Sequence, residues 1–517
     1  MSVESLLNLV YSLGFREAVD WTRKKKSCTK VILKQGIQWV KEIAREKNQR
    51  PFNPGELVCR VFIQGSTALN ISAQGSDLDV ILLVPCFVDR DEFFTSFPVH
   101  LRRLSCIKDI YAIPDTYVPL IKMCLFDVPV DLTMGCLGTA RVPAHINFNQ
   151  PPDQVYQNVD PISIRSISGV HLTVKLKQIT RNYPTFPQFA RCVRAWVSRR
   201  CIGNYVYGFP SSVAWSLMAV YVCMHINDLC SPFPCICSRV AQSSRLPAVD
   251  NNPTPSNSDN CPPPNHSLVC LLNAFFVGFS SWHWPKPVQF NSLRKPSTIL
   301  TESSNSLNPS TGWSSVMPVL TPVFPHKNSA YTVRPSTLRT VISEFKRASK
   351  YLHAIIEGQA SWEDLFQPFD VTAHFNHFLL WTLTVPSRDN MKIAAGLVDS
   401  KLRHLAQDFE EQSHICSARI SSIPTTNQTS DEPDSVRRWL VALEIESAPR
   451  AASGARIPLN VDLSGCVASF YSMLQEKDPY INFGKVLSHA YVKKCVSFSR
   501  ITLKRVIMWI LTATSLD

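Results

Sequence analysis

Five apolar residues with no polar alternation, Val80-Ile81-Leu82-Leu83-Val84, follow directly on Asp77-Leu78-Asp79. A strand written this way is covered on both faces, as in a sheet flanked by helices. Its two leading carboxylates, at i and i+2, point to one face roughly 7 Å apart along the strand. They sit at a sheet edge over a cleft. Just upstream, Gly65-Ser66 can bring backbone N–H groups and a hydroxyl close to a phosphate. Together these residues describe a site for a metal-bound triphosphate. A bare Asp-x-Asp on a solvated strand end is the ordinary alternative, and the unalternated run argues against it.

At 517 residues the chain is too long for one core, and two to four domains are expected. A hydrophobic fraction of 45% excludes a disordered chain. The formal charge of +13 favours a polyanionic partner. Seventeen cysteines without a repeating spacing read as reduced, mostly buried thiols of an intracellular protein. Cys235-Ile236-Cys237, near Cys230 and Cys261, lacks the paired knuckles of a zinc site. Asn427-Gln428-Thr429 has the form of a glycosylation sequon, but no secretory signal accompanies it. No apolar run is long enough to span a membrane, and a soluble protein inside the cell is expected.

Helical periodicity covers residues 4–20 and 29–47, with Arg23-Lys24-Lys25-Lys26 read as a solvated connection between two helices, or as a weak import signal. Strands are expected at 58–64 and 78–84, a helix at Asp89–Leu104, and strands at Val118–Cys124 and Val128–Thr133. The first 140 or so residues are thus a mixed α/β unit. Phe189–Arg200 and Ser211–His225 are amphipathic helices, and further helices are expected at Leu268–Phe279 and Pro335–Glu357. Residues 228–266 and 291–315, rich in Pro, Ser and Asn, read as loops or a disordered insertion. From Phe375 the pattern becomes strand, helix, strand at His377–Val385, Ala394–Glu411 and Trp439–Ile445. Val461–Leu463 and Val467–Leu474 complete a small α+β unit, with Ser421–Ser435 as a loop inside it.

A two-metal phosphoryl-transfer site calls for a third acidic ligand on a neighbouring strand. Asp131 is the preferred candidate, because it lies inside Val128-Pro129-Val130-Asp131-Leu132, where a lone buried charge is costly. Pro129 leaves open an edge strand with the carboxylate facing water. Asp127 competes from the turn before the strand. Asp77, Asp79 and Asp131 would hold two magnesium ions, since hard oxygen donors with substrate phosphates suit that ion. The pattern indicates nucleotidyl transfer and does not name the acceptor.

Ile63-Gln64-Gly65-Ser66 through Asp79, followed by Val88 to Phe97, resembles the catalytic palm of a nuclear-type eukaryotic poly(A) polymerase. The similarity continues at Tyr117 to Lys122, Val130-Asp131-Leu132, Ile164 to Gly169 and Gly208 to Trp215. Ser281 to Val288, Met317 to Pro322, Pro325 to Tyr331, Glu344-Phe345-Lys346, Gly396 to Arg403 and Val461-Asp462-Leu463 extend it to about residue 495. The Gly-Ser and Asp-x-Asp element suits any member of the nucleotidyltransferase superfamily, whereas the central blocks are specific to this family.

The resemblance implies an α+β multidomain chain: a nucleotidyltransferase palm at 1–149 and a helical central domain at 150–345 carrying the 228–266 insertion. An RNA-recognition-motif-like (RRM-like) RNA-binding domain at 346–495 and an unmatched segment at 496–517 complete it. It implies AMP transfer from ATP to an RNA 3′-hydroxyl without a template, using two Mg²⁺ ions for which Mn²⁺ can substitute. ATP and the primer end would meet in a cleft between palm and C-terminal domain. Asp77 and Asp79 would bridge the metals, and Asp131 would serve the metal nearest the attacking hydroxyl. Gln64, Gly65, Ser66, Ala73, Arg194, Gly203, Ser212 and Val213 fall at nucleotide-contacting positions, and Lys327 and Asn328 at the RNA path. The family's Phe is Gln64 here, its Asn is Ser168, its lysines are Arg194 and Ser198, its tyrosine is Gly203 with Tyr205 and Tyr207 nearby, and its paired glycines are Ser211 and Ser212. A nuclear monomer acting with RNA, ATP and the cleavage and polyadenylation machinery, and with no membrane, is implied. A uridylyltransferase-like tailing enzyme and a weakly active RNA-binding paralogue are the alternatives.

Overall fold

The computed structural model describes residues 2–229, 267–290, 315–385, 388–423, 436–447, 460–478 and 481–493. Nearly all of the 228–266 insertion lies outside these residues, as do the Cys230–Cys261 group, residues 291–314, the sequon at Asn427 and the segment from 494 onward. The chain forms two compact units. The first comprises 1–196, 212–331 and 345–366; the second comprises 197–211, 332–344 and 367–517.

The first unit begins with helices α1 (Val3–Ser12) and α2 (Val19–Glu46). Strands β1 (Arg60–Ile63), β2 (Leu78–Val84), β3 (Ile107–Ile113), β4 (Leu120–Leu125) and β5 (Val128–Cys136) form a sheet in the order β1-β2-β5-β4-β3. Pairing is parallel between β2 and β5 and antiparallel elsewhere. The uninterrupted apolar run of β2 is covered on both faces, as its sequence requires. On one side Leu78, Val80, Leu82 and Val84 pack with Trp39, Val40 and Ile43 of α2 and with Phe93 and Phe97 of α4 (Arg90–Arg102). Each such aromatic contributes about 1.5–3 kcal/mol by leaving water. On the other side Ile81 and Leu83 meet Ile164, Ile167 and Val170 of α5 (Pro161–Thr180).

The expected break between two N-terminal helices is corrected: α2 runs straight through Arg23-Lys24-Lys25-Lys26. Lys25 is 1% exposed, so this basic run is not a solvated connection. Its neighbours Arg23 and Lys24 face outward on ion pairs with Asp20 and Asp127.

The same unit continues in α6 (Phe186–Arg199, up to Trp196), α7 (Ser212–Leu229), α8 (Leu268–Ser280) and the end of α9 (Pro335–Ile356). Their core is an aromatic cluster. Trp196 meets Trp215 edge-on at 5.8 Å between centroids and Phe276 at 5.0 Å, and Phe275 meets Phe345 at 5.5 Å.

The second unit holds strands β6 (His377–Thr384), β7 (Ile415–Ile423), β8 (Val436–Ile445) and β9 (Leu487–Lys493), with helices α10 (Arg388–Glu410) and α11 (Ser464–Lys477). The chain order β6-α10-β7-β8-α11-β9 and the spatial order β7-β8-β6-β9 give the antiparallel βαββαβ plan of an RRM-like domain. Ser421–Ile423, expected in a loop, belong to β7. One face packs on α10 and α11, with Trp381 edge-on to Phe470 at 5.0 Å. The opposite face is also closed: Phe378, Leu380, Leu440 and Ala442 are buried with Val371, Phe369 and Phe375. The fold is therefore α+β, with a nucleotidyltransferase-like sheet, a helical middle and a C-terminal sheet domain.

Candidate active site

Three carboxylates meet at the start of β2 and β5. The parallel pairing sets Asp79 opposite Asp131 in register, and Asp77 precedes them on the approach to β2. Ligand oxygens of Asp77, Asp79 and Asp131 all lie within 4.8 Å of one another. Asp77 is exposed, and the other two are half-buried. Asp127 stands apart, in the hairpin turn where Phe126 and Asp127 both take positive φ, and it pairs with Lys24 and Lys108.

Between β1 and β2 the chain makes a one-turn helix, α3 (Gly65–Ala68). Gln64 donates its backbone N–H to the carbonyl of Asp79 at 2.9 Å, which ties the turn to the strand. Gly65 has φ +60°, and a Cβ there would fall on Oδ2 of Asp79. Only glycine lets this turn lie against the carboxylate. Gln64 is accommodated likewise, since a Cβ at Gly169 would meet its Oε1.

The electrostatics follow from this crowding. Burial, then the negative charges of Asp77 and Asp131, push the Asp79 carboxyl up to about 7, while Lys25 and Lys122 pull the other way. No donor reaches the Asp79 carboxylate among the described residues. Asp131 pairs with Lys122, its register neighbour on β4, which places Nζ 3.1 and 2.9 Å from the two oxygens. Arg194 on α6 is half-buried, its partial burial pulls its guanidinium down, and the charges of Asp77 and Asp79 hold it up. Three residues earlier, Arg191 donates to the carbonyl of Asn70 at 2.7 Å and to its Oδ1 at 3.1 Å, in the loop between α3 and β2.

Sequence reasoning missed Lys25. Its ammonium pairs with Glu17 and donates to Thr67 Oγ1 at 2.9 Å, Ser76 Oγ at 3.1 Å and the carbonyl of Asp77 at 3.0 Å. The signal available was its place in the helical period, on the same stripe as Cys28 and Ile32. A basic tetrapeptide masks that stripe.

Comparison with known proteins bears on the whole arrangement. The Poly(A) polymerase nucleotidyltransferase domain matches residues 5–179, and the Poly(A) polymerase central domain matches residues 263–368. Together they cover more than half of the chain. The chain belongs to the poly(A) polymerase family.

Poly(A) polymerase PAPalpha of Candida albicans is 24% identical over 408 residues, covering 79% of this chain and 66% of the relative. The Poly(A) polymerase of Dictyostelium discoideum is 24% identical over 405 residues, 78% of this chain and 45% of the relative. This chain thus spans less than two thirds of these poly(A) polymerases. Among solved structures, Cid1, described for its RNA terminal uridylyl transferase activity, is 16% identical with a TM-score of 0.45, over 71% of this chain and 99% of that one.

The remaining positions marked by the poly(A) polymerase resemblance are distributed as follows. Ser66 and Ala73 are half-buried in the α3 turn and the loop leading to Asp77. Ser212 and Val213 form the exposed first turn of α7 in the first unit. Gly203 belongs to the second unit, where a Cβ would lie 2.7 Å from Val197 Cγ1. Nearby Tyr207 is committed to Asp399, 2.9 Å from its hydroxyl, whereas Tyr205 is 49% exposed. Ser168 donates back to the carbonyl of Arg165 in its own helix at 2.7 Å.

Lys327 is half-buried. Its Nζ lies 5.2 Å from the centre of the Tyr117 ring and 3.5 Å from Ser168 Oγ, and burial, then Arg165, pull it down to about 8. Asn328 is buried and holds its own loop. Its Oδ1 accepts from the N–H groups of Val319 and Ala330, and its Nδ2 donates to Ser315. Cys28, Cys59, Cys192 and Cys223 are buried thiols pushed up to about 12 by burial, which leaves them unreactive. Among the described residues no helix is long and apolar enough to cross a membrane.

Proposed function

We propose that this protein is a polynucleotide adenylyltransferase that joins AMP from ATP to the 3′-hydroxyl of RNA, releasing pyrophosphate, without a template. The observation that carries this reading is the convergence of Asp77, Asp79 and Asp131 within 4.8 Å in a member of the poly(A) polymerase family. The donor set suits a hard divalent cation. All three groups are oxygens, and their mutual repulsion raises the Asp79 carboxyl to about 7, a cost that a bound cation removes. Asp77 and Asp79 would hold two ions with Asp131 as the third ligand, the one serving the attacking hydroxyl, and Mg²⁺ would be the resident ion with Mn²⁺ as a substitute. When bound, such ions supply charge neutralisation at the triphosphate and activation of the hydroxyl.

The chain's own residues do the positioning. Gly65 and Ser66 turn backbone N–H groups and a hydroxyl toward the triphosphate, and Gln64 anchors that turn to β2. Arg194 supplies a positive charge toward Asp77 and Asp79, with Ala73, Ser212 and Val213 as further nucleotide-side positions in the same unit, and Gly203 is assigned to the nucleotide on the family pattern alone. Lys122 holds Asp131 until substrate arrives. Lys327, beside Tyr117, and Asn328 are assigned to the RNA path, and Asn328 also keeps its own loop in shape. The assignment of 1–149 as palm, 150–345 as central domain and 346–495 as RNA-binding domain is part of the same reading. So are nuclear action in mRNA 3′-end formation, a monomeric state and contact with the cleavage and polyadenylation machinery.

The test is incubation of the purified full chain with an RNA primer, Mg²⁺ or Mn²⁺, and each nucleoside triphosphate in turn. ATP-dependent extension, lost in Asp77→Ala and Asp131→Asn, is the expected result. Preference for UTP, or activity untouched by both substitutions, overturns the reading.

A further inference from the structure

The approach to Asp77 is buckled to the segment that leads into α2. Gln74 donates its N–H to the carbonyl of Gly14 at 2.7 Å, and its Oε1 accepts from the N–H of Ala18 at 2.8 Å. Trp21 Nε1 donates to the carbonyl of Ser76 at 3.3 Å. At the centre sits the Lys25 ammonium, whose side chain is 2% exposed, paired with the 11%-exposed side chain of Glu17. Three further acceptors surround it, and they come from two separate stretches of chain. Thr67 belongs to the α3 turn that starts at Gly65, while Ser76 and the Asp77 carbonyl belong to the arm that delivers the first carboxylate. A buried charge with a full set of partners fixes geometry more than it adds stability.

We infer that Lys25 is a positioning residue for the metal and triphosphate site, locking the Gly65–Ser66 turn and the Asp77 arm into one frame from beneath. This inference rests on the proposed nucleotidyl-transfer reading. Lys25 touches no reacting atom in this account. It acts through Thr67, Ser76 and the backbone of Asp77, and it places a positive charge behind three carboxylates that otherwise face one another. The N-terminal segment from Gly14 to Lys25 then supports the active site from behind the turn and the arm that carry its residues.

The experiment measures Mn²⁺ binding to the full-length chain by electron paramagnetic resonance, alongside melting temperature and the metal dependence of primer extension. The variants are Lys25→Met with Glu17→Gln, which removes the pair without leaving a lone buried charge, and Thr67→Val, which removes only the α3 side of the clamp. The double variant should bind Mn²⁺ about tenfold or more weakly, the usual cost of losing a group that orients metal ligands. Its extension rate should recover at saturating metal. Thr67→Val should lose about threefold in the same direction, a smaller share of the same effect. A purely structural role lowers the melting temperature and leaves the Mn²⁺ affinity of the folded molecules unchanged, and that result overturns the inference. Should the double variant fail to fold, an unchanged Mn²⁺ affinity in Thr67→Val overturns it instead. If the parent chain binds no Mn²⁺, or binds it equally after Asp77→Ala, the metal-site reading fails and carries this inference with it.

Discussion

Two aspartate settings, one in each unit, invite comparison. In the second unit Asp399 on α10 is surrounded by donors. Its Oδ1 accepts from the Tyr207 hydroxyl at 2.9 Å and Trp439 Nε1 at 2.8 Å, and its Oδ2 accepts from Arg437 at 2.8 Å. In the first unit three aspartates crowd together, Lys122 pairs with Asp131, and Asp79 is pushed up to about 7 by burial and by its two neighbours. One carboxylate with three donors is architecture. Three carboxylates with one salt-bridged lysine between them form a site waiting for charge. The difference is one of supply: Asp399 on α10 has three side-chain donors, whereas Asp131 draws on Lys122 and Asp79 on no donor among the described residues.

That contrast can be broken in several ways. Asp79→Asn should abolish primer extension, by about a hundredfold or more, since it removes a ligand rather than a supporting group. The same change should raise the melting temperature of the metal-free protein, because it removes a buried, repelled charge. An unchanged or lowered melting temperature would refute the crowding argument.

Next in size, Gly65→Ala forces a side chain into left-handed backbone and onto Asp79. Primer extension should fall about a hundredfold, as for any comparable misplacement of reacting groups. Circular dichroism should still report a folded chain.

In the second unit Glu344→Gln leaves Arg200 buried without its carboxylate, held until then at 2.8 and 3.0 Å. Denaturant unfolding of that unit should lose about 3–5 kcal/mol. Asp399→Asn should cost about 1–3 kcal/mol by the same measurement. It should leave Mn²⁺ affinity alone, and weaker Mn²⁺ binding there would erase the distinction between the two settings.

The most gradual effect is acid sensitivity from His171. Burial pulls its imidazole down to about 4, while the unfolded chain protonates near 6.5. Between these values the unfolded state holds more protons, so stability is complete above pH 6.5 and declines as the pH falls toward 4. The slope is at most about 1.4 kcal/mol per pH unit. His171→Gln should flatten this part of the stability profile.

The legibility of the sequence divides along similar lines. Strand β2 was readable because its apolar run leaves no face for water, and Asp131 because a lone acid inside an apolar strand needs a reason. Strands β3 and β9 were not. Each lies at the edge of its sheet with residues that, Leu487 apart, are half-exposed or exposed, so neither shows a clean alternation. The continuity of α2 was hidden for a different reason. Lys25 looks solvated beside Arg23, Lys24 and Lys26, and its burial is decided by Thr67, Ser76 and Asp77, 42 to 52 residues away. Asn328 shows a third kind of gap. A polar residue in a distinctive block was read as a contact for RNA, and its amide is taken up by the loop that carries it.

The parallel pairing of β2 with β5 has a consequence for how this chain can change length over evolutionary time. Between the two strands, the connection from Arg103 through the β3–β4 hairpin can gain or lose residues without moving either acid along its strand. A single deletion between Val128 and Asp131 is another matter, since neighbouring positions on a strand alternate sides. It would turn the acid at 131 away from Asp79 and bring Val130 or Leu132 into its place, so this short stretch should be far less forgiving of gaps than the connection ahead of it.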